Sequence, residues 1–226
     1  LDGQALFDLT SQFSVRGGVG YGGGEFTARK GQVYFAEANS GRLYRQSLLG
    51  GSAHAVTPAF GKAASPCLSP DGRWLMYVHS DEGQDSLSLV DARGIQWPQK
   101  LTWGADFYMQ PVWHPSGQKV AWIAWNHPNM PWDGTSLYLG ELNSSEPPAI
   151  SGIPFRVAGG EQISVFQPQF SPDGEWLAYV SDDTGWWQIY LYNLVSGEQR
   201  QITHTPAEHG LPAWVQGMRT YAFTLD

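Results

Sequence analysis

Apolar positions along this chain fall into short runs of two kinds. "WLMYV" (74–78), "VAWIAW" (120–125) and "WLAYV" (176–180) are apolar throughout, whereas "RLYRQSL", "SLSLVDA", "SLYLGEL" and "QIYLYNL" alternate apolar and polar residues. A short run that is apolar on both faces predicts a strand enclosed between neighbouring sheets, and a run of period two predicts a strand with one wet face. After the alternating run come a polar turn such as "VSGEQ" and a short strand such as "RQITHT". The pattern predicts an all-β chain with little helix.

The turns recur in register. "PCLSPDGRWLMYV" from Pro66, "PVWHPSGQKVAWI" from Pro111 and "PQFSPDGEWLAYV" from Pro168 align without gaps, each with a proline six residues before a turn glycine. These glycines are Gly72, Gly117 and Gly174; weaker copies add Gly31 and Gly217, at spacings of 41, 45, 57 and 43 residues. In "SPDG" the proline presets φ, the aspartate bonds the following amides and the glycine takes a φ that other residues resist, which makes a hairpin turn. Four strands in each unit of about 40 to 50 residues describe a β-propeller blade, innermost strand first and exposed edge strand last. The expected fold is therefore one partial propeller domain over residues 1–226, about four blades plus part of a fifth. Only nine residues follow Gly217, and "FDLTSQF" reads as the closing strand of an earlier blade. A truncated propeller with open sheet edges is expected, and such edges can support self-association.

Composition narrows the function classes. Lysine and arginine number 13 against 21 acidic residues, a formal charge of -8, so nucleic acid is not an expected partner. No stretch approaches the roughly 18 uninterrupted apolar residues of a membrane span. The single cysteine, Cys67, offers no disulfide framework or metal cluster and suits a reducing compartment, so cytoplasmic location is the expectation. With 27 glycines and 11 tryptophans, tight turns and aromatic packing dominate. No cofactor or metal is expected.

Beyond the repeat, "YGGGEF" at Tyr21, "GQVYFAEANSGRLYRQ" at Gly31, "GADFYMQP" at Gly104, "WNHPNMPWDGTSLYLGEL" at Trp125, "TGWWQIY" at Thr184 and "LPAWVQGMRTYAF" at Leu211 occur in order along the chain. Together with "SPDG" they resemble TolB-type propellers and, more specifically, the propeller of prolyl oligopeptidase-family serine peptidases of the acylaminoacyl-peptidase and dipeptidyl-aminopeptidase-like branch. The resemblance implies a non-catalytic propeller that restricts peptide access to an α/β-hydrolase domain of the same polypeptide. It leaves a stand-alone TolB-like binding scaffold as the alternative. No G-x-S-x-G motif occurs, so no catalytic residue is assigned within these residues.

Counting from the turn glycine to the first apolar residue of the third strand gives 15 for Leu87, 15 for Ile189 and 20 for Leu137. The five extra residues fall in "NHPNMPWDGT", an insertion between second and third strands, where propeller rims carry function. Asn126, His127, Asn129, Trp132 and Asp133 are thus candidates for contact with substrate or with the hydrolase domain. Packing of Trp132 between blades, or a metal held by His127 and Asp133, are alternatives. The equivalent connection, "SDDTGWWQ", adds Asp182, Trp186 and Trp187; the adjacent tryptophans must point to opposite sides of an extended backbone.

Overall fold

The computed structural model describes residues 8–20 and 22–224, and none of these is helical. Sixteen strands form four antiparallel sheets of four. The first sheet contains β1 (Phe26–Arg29), β2 (Gln32–Ala36), β3 (Leu43–Ser47) and β4 (His54–Ala55). The second holds β5 (Lys62–Leu68), β6 (Trp74–Asp81), β7 (Gln84–Asp91) and β8 (Gln99–Thr102). In the third are β9 (Phe107–Trp113), β10 (Lys119–Trp125), β11 (Ser136–Leu142) and β12 (Ile150–Gly159). The fourth comprises β13 (Val165–Phe170), β14 (Trp176–Ser181), β15 (Gln188–Asn193) and β16 (Gln199–Gln201). Each sheet runs in chain order from innermost to outermost strand, and the sheets do not close into a ring.

The doubly apolar runs are the second strands, and their two faces fill different seams. Along β6, Leu75 and Tyr77 pack with Tyr34, Leu43 and Leu68 between blades one and two. The alternate residues Trp74, Met76 and Val78 pack with Trp113, Val120 and Trp122 between blades two and three. Along β10 the same division sends Ala121 and Ile123 to the third seam, with Leu177 and Tyr179. Burying each such side chain contributes about 1.5–3 kcal/mol, so the seams, which no strand pairing bridges, hold the blades together. At the second seam the Trp113 indole N–H also donates to Cys67 O at 2.9 Å, and burial pushes the Cys67 thiol up to about 11.

The inner strands carry a feature the pattern did not foretell. Opposite Tyr77, Trp122 and Tyr179, strands β5, β9 and β13 each place two residues against one: Ser65–Pro66, Gln110–Pro111 and Gln167–Pro168. The residue before each proline is left-handed, with φ of 51°, 51° and 52°. These are β-bulges, which remove a proline from a ladder where it has no N–H to give.

At the start of the chain, "FDLTSQF" was expected as a closing strand. Phe7 lies outside the described residues, and the remainder is a turn: the Asp8 carboxylate accepts the Thr10 N–H (3.0 Å), and Thr10 O accepts the Phe13 N–H (2.8 Å). Phe13 then packs on Phe35 and Tyr44. Residues around Gly217 add no strand; they lie across the inner strands, with Gln216 bridged to Gly23.

The turn glycines differ in what surrounds them. Gly117 and Gly174 are both left-handed, but a Cβ on Gly117 would meet only Pro70 at 3.8 Å, whereas on Gly174 it would lie 2.7 Å from the His114 ring. That ring donates from Nε2 to Gly174 O (2.8 Å) while Nδ1 accepts the Ser116 N–H (3.0 Å), joining blades three and four. Gly117→Ala should therefore cost about 1–2 kcal/mol for its φ alone, and Gly174→Ala measurably more. Urea denaturation of the two variants tests this, and equal losses would contradict the His114 linkage.

Candidate functional site

The insertion predicted from the residue count is the β10–β11 connection, residues 126–135, and its two ends are anchored differently. At its start, Asn126 Oδ1 accepts the Asp106 N–H at 2.8 Å, and Asp106 Oδ2 accepts both the His127 N–H (2.9 Å) and the imidazole Nδ1–H (3.0 Å). The His127 amide first, and its imidazole second, hold the Asp106 carboxyl below the usual aspartate range. Phe107 packs against Trp125 and His127, with ring centroids 5.1 and 4.7 Å away. At its end, Thr135 Oγ1 donates to Val165 O and accepts the Val165 N–H, both at 2.8 Å, fastening the loop to the inner strand of blade four. Ser164 Oγ donates to Pro131 O at 2.5 Å.

Between these anchors the loop walls a cleft of about 580 Å³, whose polar lining includes Asn126, His127, Asn129, Tyr138, Arg156 and Glu161. Asn129 reaches across to donate to Glu161 O (2.8 Å). Arg156 extends from β12, paired in register with Tyr138, and it is exposed and forms no ion pair among the described residues. A free guanidinium beside a phenol and an aromatic wall suits carbonyl or carboxylate groups of an elongated ligand.

Other sequence candidates lie apart from this cleft. Trp132 packs on Trp214, ring centroids 4.5 Å apart, and Asp133 Oδ2 accepts the Met130 N–H (2.9 Å) within its own turn. His127 is thus paired with Asp106 and not with Asp133, and no three His, Cys, Asp or Glu side chains converge among the described residues. In the next blade, Asp182 Oδ1 accepts the Ser164 N–H (2.8 Å); burial raises its carboxyl, as do Asp183 and Glu208, against that bond. Trp187 is buried beside Gly210, on the Val180 face of blade four, and its backbone N–H donates to Glu208, while Trp186 is exposed. The residues that sequence reasoning missed are Asp106, Tyr138, Arg156 and Glu161. Asp106 lies inside "GADFYMQP", a segment noticed for its resemblance and not for its chemistry.

No protein-family model matches this chain. Among curated proteins it is 23% identical over 201 residues to the uncharacterized peptidase YuxL of Bacillus subtilis, covering 69% of this chain and 28% of that protein. It is 26% identical over 170 residues to a TolB homolog of Chlorobium luteolum, covering 74% and 35%. Among solved structures, a puromycin-hydrolyzing peptidase of Mycobacterium tuberculosis superposes with a TM-score of 0.79 at 27% identity, over 92% of this chain and 35% of that one. The fold is a TolB-like β-propeller. A structure of putative TolB from Agrobacterium tumefaciens, at TM-score 0.57 and 23% identity, shares the propeller architecture. The chain spans about a third of the length of these peptidase relatives.

Two measurements test the site's geometry. If Trp132 and Trp214 stabilise each other as a stacked pair, a double-mutant cycle with Trp132→Ala and Trp214→Ala should give a coupling of about 0.5–1.5 kcal/mol. Loss of the roughly 3–5 kcal/mol typical of an emptied core site in Trp132→Ala alone would place Trp132 in a seam instead. The second concerns pH. A carboxyl lowered by folding stabilises above its unfolded pKa and loses that contribution as pH falls through the folded value. The His127 amide NMR resonance should therefore titrate below the usual aspartate pKa of about 3.9 and stop doing so in Asp106→Asn. A midpoint at or above that value would contradict the clasp.

Proposed function

We propose that this chain is the substrate-gating propeller portion of a serine peptidase of the prolyl oligopeptidase kind, acting on peptides or acyl- or aminoacyl-peptides. The cleft under residues 126–135 is the surface that meets the peptide on its way to the hydrolase domain. One observation carries the reading: likeness to a puromycin-hydrolyzing peptidase extends over 92% of the chain at 27% identity, and the blade-three insertion walls the cleft of about 580 Å³. In this role Arg156 and Asn129 bind peptide carbonyl or carboxylate groups, His127 and Trp125 form the wall, and bond cleavage belongs to the hydrolase domain.

A stand-alone TolB-like scaffold is the second reading, favoured by the 26% identity to a TolB homolog over 74% of the chain. The intact protein that carries this propeller separates the two. Under the peptidase reading it hydrolyses aminoacyl or acyl-aminoacyl reporters, and a serine-directed covalent probe labels it outside residues 1–226. Arg156→Ala then raises KM about tenfold, the loss of roughly one charged hydrogen bond, with kcat little changed. Absence of both hydrolysis and labelling would favour the scaffold.

A further inference from the structure

The three left-handed bulges repeat one strained geometry at one register of the inner strands. A non-glycine residue in that region costs free energy, and strain that recurs at equivalent positions points to something the bulge accomplishes. Here it turns two glutamines, 8% and 2% exposed, onto a neighbouring polypeptide. Gln167 Oε1 accepts the Thr220 N–H at 2.6 Å and its Nε2 donates to Tyr221 O at 2.8 Å. Gln110 Nε2 donates to Met218 O at 3.1 Å.

These three partners are main-chain atoms; the Thr220 hydroxyl also donates to Gln167 Oε1 (3.3 Å) and the Tyr221 hydroxyl donates to Gln167 O. A primary amide that takes an N–H and gives to a C=O offers a peptide the same pair of groups as a strand edge, whatever the peptide's side chains. The segment held this way has no strand pairing of its own. Its one bridge, Gln216 to Gly23, is a close approach: a Cβ on Gly23 would lie 2.2 Å from Gln216 O. Arg219 and Thr220 are exposed, and Met218 and Tyr221 are half-buried as apolar anchors. Residues 218–221 thus lie on the inner strands as a bound peptide would.

We infer that Gln110 and Gln167 form a main-chain clamp for an extended peptide, filled in this structure by residues 218–221 of the same chain. The ligand class is an unstructured peptide with free N–H and C=O groups at the clamped positions. The inference does not depend on the peptidase reading, because it concerns binding alone.

Amide hydrogen exchange tests the clamp within the chain. Gln167→Leu should expose the Thr220 amide, whereas Gln167→Glu, which keeps the acceptor and loses the donor, should leave Thr220 protected; unchanged protection in Gln167→Leu would overturn the inference. Should Gln167→Leu not fold, Gln167→Glu carries the test through the trans arm. There, Tyr221→Ala loosens the resident segment by removing its ring and the hydroxyl's hydrogen bond to Gln167 O, leaving both glutamine side chains in place, and capped peptides are titrated into this variant by fluorescence. The peptides are residues 216–223, an eight-residue sequence that keeps the Met218, Thr220 and Tyr221 side chains and replaces the others, and residues 216–223 N-methylated at the Thr220 position. The first two should bind within about tenfold of each other. N-methylation, and Gln167→Leu or Gln167→Glu added to Tyr221→Ala, should each weaken binding about tenfold, as expected for losing one or two buried hydrogen bonds. Binding indifferent to the glutamine changes, or none at all once Thr220 exchanges freely, would overturn the clamp.

Discussion

A proline in an inner strand has no N–H for its neighbour, and the way this chain accommodates that deficit organises the centre of the molecule. Each affected strand bulges by one residue at Ser65–Pro66, Gln110–Pro111 and Gln167–Pro168, and the residue before the proline turns left-handed. Its own N–H then leaves the sheet and reaches sideways. Ser65 N donates to Gly24 O at 2.8 Å in the preceding blade, and Gln167 N donates to Gln110 Oε1 at 2.7 Å. Gln110 N and the Ser65 hydroxyl both donate to Gln216 Oε1, at 3.3 and 2.6 Å. A loss within each sheet thus becomes a belt of hydrogen bonds between sheets, where β pairing supplies none. Such buried bonds contribute modestly when made and cost more when left unmade, so the belt constrains blade orientation more than it adds stability.

Blade orientation in turn sets the rim. The 126–135 loop belongs to blade three but is fastened to blade four through Thr135 and Val165, and to the entry of β9 through Asp106. The cleft therefore exists only while neighbouring blades keep their relation. Asp182 contributes at a distance, holding the Ser164 amide while the Ser164 hydroxyl supports Pro131.

Much of this was legible in the sequence, and the reasons are local. Turn glycines and doubly apolar runs follow from backbone sterics and strand period, so the blades, their order and the placement of the insertion could be read directly. The cleft's composition could not. Arg156 comes from an outermost strand and Asp106 from the connection into β9, and only the register Tyr138 with Arg156 and the Asp106–His127 clasp bring them to the loop. Conversely, Trp132 and Asp133 drew attention as unusual loop residues, yet a neighbouring indole and a turn amide occupy them. The recurrent proline was visible, but its bulge was not, because the left-handed residue before it is Ser65, Gln110 or Gln167 and never the glycine that announces such a backbone.

The central claim is that these bulge amides bond outside their own sheets, to Gly24, Gln216 and Gln110. Site-resolved hydrogen exchange of the Ser65, Gln110 and Gln167 amides measures it most directly. The account predicts protection comparable to the paired amides of β6 and β10, although none of the three amides has a strand partner. Exchange at the rate of the exposed 126–135 loop would contradict it.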